Sequence, residues 1–211
     1  MTYVLYGSLG SGASCVEATL AVAGAACEFH EMHLETNEQR TAEFRALNPS
    51  GKVPALKLPE GGIVTESSAL LILLAERHPE AGLLPAPGTP ERAQALRWLA
   101  FMAAEIYPMV EIADYPERFS PTPDSAAELK RAVTARIRER MLVVEQAIAG
   151  PFFFGARLTA LDIYAAMFSR WRESREGGWR EAHIPNICAI SGALFAHPVI
   201  GPVWKRHFWK G

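Results

Sequence analysis

The sequence of 211 residues predicts two domains, an α/β domain followed by an all-helical domain. Over residues 1–77, short apolar runs with strand character alternate with helical stripes. From residue 91 to residue 211, helical periodicity dominates and no strand pattern competes with it. The stretch between them, residues 78–90, carries four prolines and two glycines, which is typical of a linker.

The first domain contains seven elements in the order βαβαββα, which is the order of a thioredoxin-like domain with a parallel start and a hairpin finish. The hairpin is marked by Gly61 and Gly62, and the last helix, residues 67–77, is apolar nearly all round. A helix without a polar face must be covered by other elements on several sides, and a second subunit can supply part of that cover, so we expect a homodimer. The other predicted elements are strands at 3–6 and 26–34 and helices at 14–23 and 41–47.

In the second domain, residues 91–119 form one long helical pattern with Pro108 inside it, which predicts a kink at that proline. Thr159 and Asp162 have the spacing of a capping box before an apolar run. Further helices are predicted at 125–149, 186–196 and 199–208.

Composition excludes several classes of protein. The 21 Lys and Arg residues against 23 Asp and Glu residues leave a net charge of −2, whereas nucleic-acid and membrane-surface proteins carry a basic excess. The first residues do not resemble a signal peptide, and no apolar run approaches the length of about 18 residues that is needed to span a bilayer. Three cysteines without paired spacing fit a reduced compartment, so we expect a soluble cytoplasmic protein. Six scattered histidines predict no metal site.

The most informative segment is residues 48–67, where a turn leads into Val53 and Pro54 at the start of a strand. If the Val53–Pro54 bond is cis, the backbone N–H and C=O of Val53 point outward, where an extended peptide can pair with them. Glu66 and Ser67 then open a helix, adding a carboxylate, a hydroxyl and free N–H donors. Such a site can hold an amine, a carboxylate and a peptide backbone, and glutathione has all three.

Together with residues 6–11 upstream and residues 158–162 downstream, this segment resembles a cytosolic glutathione transferase, and the likeness covers essentially the whole chain. A bacterial, serine-type enzyme is the nearest pattern, and the class is not resolved. The resemblance implies that Glu66 takes the γ-glutamyl amine and Ser67 the γ-glutamyl carboxylate. It also implies that the glutathione-binding set is completed by Val53 and Pro54 at the cysteinyl unit, and by Lys52 and Gln39 (or Arg40 instead) at the glycyl end.

A free thiol with a pKa of about 8.5 is only a few per cent ionised at neutral pH, so the enzyme needs a hydrogen-bond donor that stabilises the glutathione thiolate. We expect this donor in the loop after the first strand. Ser8, Ser11 and Ser14 all lie there, and the resemblance places Ser11 at the catalytic position. Ser14 is its rival, and capping or turn formation is the structural alternative for all three serines. Cys15 is a second rival, since cysteine-type members form mixed disulfides, although a small core residue is the more ordinary role. We expect Tyr6 to be a packed strand-end aromatic.

The second substrate is expected to be apolar and to bind at the domain junction. Asp162 is assigned by the resemblance to a folding cap. The candidates for the electrophile pocket are Tyr107, Asp114, Tyr115, Phe119 and Trp171, with Trp204, Phe208 and Trp209 from the tail.

The function predicted from the sequence is that of a glutathione transferase, which activates the glutathione thiol, as a co-substrate, for attack on a small hydrophobic electrophile. Two alternatives remain open: a glutathione-dependent isomerase or peroxidase, and a non-catalytic transferase-like protein that works through a protein partner.

Overall fold

The computed structural model describes residues 2–208, which fall into two compact units. The first unit contains residues up to 84 together with those from 192 onward, and the second contains residues 85–191. Among the residues described, no single helix is long and apolar enough to cross a membrane. Two consecutive helices at 185–196 and 200–208 reach that length and composition only together, with a bend of 113° between them.

The first unit is built on a four-stranded mixed sheet of β1 (Tyr3–Gly7), β2 (Cys27–Glu31), β3 (Ala55–Lys57) and β4 (Ile63–Thr65), in the order β2-β1-β3-β4. Strand β1 pairs in parallel with β2 and antiparallel with β3, and β3 and β4 form a hairpin. This topology confirms the thioredoxin-like fold predicted from the sequence. The helices that accompany the sheet are α1 (Ala13–Val22), α2 (Ala42–Leu47) and α3 (Ser67–Arg77).

Helix α1 lies against the end of β1 because the residue there has no side chain. A Cβ atom added to Gly7 would come within 2.2 Å of the Ala13 Cβ, a distance that no real pair of atoms tolerates. All of α1 from Ala13 to Leu20 is buried. The loop between Gly7 and Ala13, which carries Ser8 and Ser11, two of the three candidate serines, is therefore held short and close to the sheet.

The predicted kink at Pro108 is present as a break between two helices. The first of them ends at Glu105, and the second begins at Tyr107 with Pro108 in its first turn, where a missing N–H is tolerated. The pattern up to residue 119 was too long, since the helix ends at Asp114. The helices of this part are α4 (Pro90–Glu105), α5 (Tyr107–Asp114), α6 (Pro123–Glu145), α7 (Ala160–Ser169), α8 (Arg172–Arg175), α9 (Trp179–His183), α10 (Pro185–Ala196) and α11 (Ile200–Phe208).

Two buried carboxylates fix helix starts in the second unit. Asp162 accepts hydrogen bonds from the Thr159 backbone N–H at 2.7 Å, from the Thr159 hydroxyl at 2.8 Å and from the Phe153 N–H at 2.8 Å. This confirms the predicted capping box. Glu145, which the sequence did not single out, accepts from the N–H groups of Asn186 and Ile187 at 2.7 and 3.0 Å. Unpaired N–H groups at helix starts are thus satisfied by side chains.

The last helix departs from the sequence-based division of the chain. We assigned residues 91–211 to the helical domain, whereas α11 packs on α1 and belongs to the first unit. Trp204 and Phe208 of α11 are buried, with ring centroids 4.7 Å apart. They are core residues of the first unit, and Trp209 lies outside the described residues.

Candidate active site

The turn before Val53 is braced by a buried asparagine. The Asn48 Nδ2 donates to the Lys52 carbonyl oxygen at 2.6 Å, and its Oδ1 accepts from the Ser50 backbone N–H and hydroxyl at 3.2 and 2.9 Å. Because Asn48 is only 4% exposed, these bonds are shielded from water and hold the turn firmly. The sequence marked this residue only as the start of a turn.

Val53 has no backbone hydrogen-bond partner in the part of the chain that the structure describes. The Val53–Pro54 peptide is cis, and Val53 precedes β3, which begins at Ala55. Within residues 2–208, no hydrogen bond reaches the N–H or C=O of Val53. Its side chain packs on the cluster of Met32, Phe44 and Ala55. The residue is thus anchored by its side chain while its main chain can pair with an extended ligand.

Glu66 adopts a backbone conformation that a residue of its type rarely takes. Its φ is 67° and its ψ is 107°, and the residue lies at the N-cap of α3. Such a conformation costs about 1–3 kcal/mol and is concentrated at functional sites. Its side chain makes no capping hydrogen bond and is exposed, so ordinary helix capping does not explain this carboxylate. Ser67, the first residue of α3, is buried beside it.

The predicted glycyl-end residues occupy different environments. Gln39 is buried, and its Oε1 has no hydrogen-bond partner within residues 2–208. Its backbone oxygen would lie 3.1 Å from a Cβ added to Gly51, where φ is 62°, so this close approach requires glycine. Lys52 and Arg40 are exposed. An unsatisfied buried amide oxygen is uncommon and marks Gln39 as a candidate ligand.

Ser11 is half-buried in the loop before α1. Its hydroxyl donates to the Ser8 carbonyl oxygen at 2.6 Å and accepts from the Ala13 N–H at 3.2 Å. Ser14 is fully buried inside α1, and its hydroxyl has no hydrogen-bond partner among the described residues. Of the two serines, only Ser11 is therefore partly accessible to solvent.

Cys15 and Tyr6 occupy structural positions. The Cys15 thiol is completely buried and donates to the Gly12 carbonyl oxygen at 3.1 Å, and burial raises its pKa far above the ordinary range. Its thiolate is accordingly disfavoured. The Tyr6 ring packs edge-on against Phe44 and is tilted against His30, as expected for a packed strand-end aromatic.

In the second unit, the structure brings two of the predicted pocket residues together. The Tyr107 ring meets the Trp171 ring edge-on, with 5.2 Å between centroids, and both rings contact Phe168. Tyr115 instead lies under the guanidinium of Arg118, at 3.6 Å from its ring centroid. Phe119 is half exposed.

Two carboxyl groups of the second unit have raised pKa values. Partial desolvation raises the pKa of the Asp114 carboxyl, and the positive charges of Arg172 and Lys130 oppose this rise. Burial raises the pKa of Glu173, and the negative charge of Asp114 adds to this. The Glu173 Oε1 has no hydrogen-bond partner among the described residues, and no sequence pattern had marked Glu173. Across residues 2–208, no three His, Cys, Asp or Glu side chains are arranged to hold a metal ion.

Known proteins are similar to this chain in sequence and in fold. The family model described as glutathione S-transferase, N-terminal domain, matches residues 5–82. An uncharacterised GST-like protein of Escherichia coli K12, YncG, is 32% identical over 205 residues, covering 96% of this chain and 97% of YncG. The chain therefore belongs to the cytosolic glutathione transferase family.

One solved structure supports the same assignment, and a second shares the fold. A glutathione S-transferase from a sphingomonad, complexed with glutathione, has a TM-score of 0.79 and 28% identity, covering 96% of this chain and 97% of that one. A glutathione transferase homologue from Sulfitobacter, with bound glutathione, has a TM-score of 0.88 and 24% identity, covering 98% of this chain and 99% of that one. The second likeness concerns the fold alone.

Proposed function

We propose that this protein is a glutathione transferase that binds the tripeptide along Val53 and activates its thiol with Ser11. The observation that carries the proposal is the unpaired main chain of Val53. An extended peptide laid antiparallel there gains two main-chain hydrogen bonds and displaces only water. The sphingomonad relative, which is complexed with glutathione, supports the same ligand here.

Each end of glutathione has a partner of matching chemistry. The exposed Glu66 carboxylate suits the γ-glutamyl amine, and Ser67 at the start of α3 suits the γ-glutamyl carboxylate, since helix N-termini attract anions. The exposed Lys52 suits the glycyl carboxylate, with Gln39 beside the turn as a second ligand and Arg40 as the alternative. Pro54 completes the wall beside the cysteinyl unit.

Ser11 is proposed as the thiolate donor because of how its hydroxyl is placed. To donate to sulfur, its proton turns from the Ser8 carbonyl oxygen, while the oxygen keeps the bond from the Ala13 N–H. That N–H belongs to the first turn of α1, whose positive end favours a nearby anion. The buried and protonated Cys15 argues against the mixed-disulfide chemistry of cysteine-type members.

The second substrate is proposed to be a small apolar electrophile. The contacting rings of Tyr107 and Trp171 offer aromatic faces of the kind that line such sites.

We also propose a homodimer, because Ala69, Ile72 and Leu73 of α3 remain wholly or partly exposed. The three unpaired cysteines support a reducing, cytoplasmic environment.

The test begins with binding, by titrating the protein with glutathione and with S-methylglutathione in a calorimeter. The pKa of the bound thiol is then followed by thiolate absorbance in the wild type and in Ser11→Ala. We expect both ligands to bind, and we expect Ser11→Ala to keep the affinity while the bound-thiol pKa rises by about 1 unit, because one hydrogen bond to a charged group is lost. Ser14→Ala is the matched control and is expected to leave that pKa unchanged.

Turnover is measured over a panel of aryl halides, epoxides, a cis-enone for isomerisation and an organic hydroperoxide. Consumption of an aryl halide or epoxide supports conjugation, whereas activity confined to the enone or hydroperoxide supports the isomerase or peroxidase alternative. Binding without any turnover supports the interaction protein. The proposal is refuted if neither ligand binds at millimolar concentration.

A further inference from the structure

We propose that His207, near the end of α11, is a positioning residue that holds the loop carrying Ser11 and thereby lowers the pKa of the bound thiol. The part of this inference that concerns the thiol rests on the function proposed above. The part that concerns the loop stands on the geometry of the first unit alone.

The direct contact is a hydrogen bond across 197 positions of the chain. The Gly10 backbone N–H donates to the His207 Nδ1 at 3.1 Å, and Gly10 immediately precedes Ser11. A Cβ added to Gly10 would lie 3.5 Å from the backbone oxygen of His207, and Gly10 has a φ of 76°. The end of α11 therefore lies directly against this turn of the loop.

This contact fixes the protonation state of the imidazole. Because Nδ1 accepts the Gly10 N–H, it carries no proton, and the proton is on Nε2, which donates to the Glu17 carboxylate at 2.8 Å. The His207 side chain is fully buried. Burial and the charge of Arg206 lower the pKa of His207 to about 4, while the charge of Glu31 opposes them. The neutral form thus persists at physiological pH.

His207 also holds the helix that follows the loop. Glu17 lies in the second turn of α1, and its carboxylate is paired with Arg206 as well as with His207. The His207 ring is itself fixed by an edge-on contact with Phe29, 5.6 Å between centroids. One imidazole therefore connects the residue before Ser11 to the helix after it.

Fixing Gly10, immediately before Ser11, determines where the Ser11 hydroxyl points. Activation of a thiol depends on the direction of a single O–H bond, whereas the binding of the tripeptide depends on Val53 and Glu66, which are on other elements. Loss of the Gly10–His207 bond should therefore lower kcat at neutral pH and leave the KM for glutathione nearly unchanged.

Two substitutions separate the two hydrogen bonds of the imidazole. In His207→Gln, the longer amide can still reach Glu17 but places no acceptor at the Nδ1 position. In His207→Asn, the side-chain oxygen replaces Nδ1 as the acceptor for the Gly10 N–H and no longer reaches Glu17. The matched control is His197→Asn, because the His197 Nδ1 accepts from the N–H groups of Val199 and Ile200 at the start of the same helix and does not touch the loop.

Two readouts are used on the full chain. Amide exchange of Gly10 is measured by NMR without ligand, and the bound-thiol pKa is measured by absorbance with glutathione. We expect His207→Gln to accelerate Gly10 exchange by about tenfold and to raise the thiol pKa by about 0.5–1 unit, the effect of one lost hydrogen bond. His207→Asn should stay close to the wild type in both readouts, and His197→Asn should change neither.

The inference is overturned if Gly10 exchange in His207→Gln equals that of the wild type, or if exchange accelerates while the thiol pKa stays constant. It is also overturned if His207→Asn shifts the thiol pKa as much as His207→Gln. Failure of the proposed function has a different signature, because the wild type itself would then bind no glutathione.

Discussion

Replacing Glu66 with glycine separates a backbone effect from a ligand effect at the same position. At φ 67° and ψ 107°, glycine lacks the Cβ atom whose clashes a larger residue experiences, so the relief is up to about 1–3 kcal/mol. The greater freedom of glycine in the unfolded chain offsets about 0.5–1 kcal/mol of this. We therefore expect the free energy of unfolding to rise by roughly 0.5–2 kcal/mol.

The ligand effect has the opposite direction. If Glu66 holds the γ-glutamyl amine, its loss removes a charge-assisted hydrogen bond at an exposed position, which is worth about 1.5–3 kcal/mol. Because every 1.4 kcal/mol is a factor of ten, the Kd for glutathione should rise by roughly 10- to 100-fold. A single variant is thus expected to be more stable and to bind less tightly.

Urea unfolding and calorimetric titration measure the two quantities on the same preparations. Glu66→Gln is the first control, since it keeps the strained conformation and loses only the charge, so its affinity should fall without a gain in stability. Asn37→Gly is the second control, because Asn37 also has a positive φ, 60°, and has no proposed contact with the ligand. Its affinity should equal that of the wild type.

The reasoning fails on either of two results. If Glu66→Gly is no more stable than Glu66→Gln, the conformation of Glu66 stores no strain. If both variants bind glutathione as tightly as the wild type, Glu66 is not a ligand.

Two further predictions concern stability. Asp162→Asn should lower the free energy of unfolding by about 1–3 kcal/mol in urea melts, because an amide has one acceptor oxygen and cannot accept every hydrogen bond that Thr159 and Phe153 donate. An unchanged urea midpoint would contradict the capping role. The neutral His207 makes the free energy of unfolding depend on pH. The unfolded chain binds a proton at this residue near pH 6.5, whereas the folded chain binds it only near pH 4. The free energy of unfolding therefore falls by up to about 1.4 kcal/mol per pH unit as the pH drops through that window. His207→Asn lacks this component, and identical pH profiles for the two proteins would refute it.

Much of the fold follows from local sequence patterns. Strands with apolar alternation, the Gly61–Gly62 hairpin and the Thr159–Asp162 box each depend on neighbouring residues, and the structure contains all of them. The short helices α8 and α9, with four and five residues, were missed because they are too brief to show a helical period.

The features that the sequence did not reveal depend on distant contacts or on surrounding structure. The positive φ of Glu66 is imposed by its surroundings, since nothing in the residue itself favours that conformation. The assignment of α11 to the first unit depends on Glu17, Arg206 and His207, whose pairing spans 189 and 190 positions. No periodicity in the sequence reports such a pairing.

The membership of α11 in the first unit has a consequence for how the protein is made. Residues 200–208 leave the ribosome after all of residues 85–191, so the nascent first unit lacks one of its helices until the second unit has been synthesised. During that interval α1 lacks the helix that carries Trp204 and Phe208, and the hydrophobic surface that this helix later covers is open to chaperones. A chain released early would contain all of the Lys52–Ser67 segment and still lack the histidine that secures the Ser11 loop.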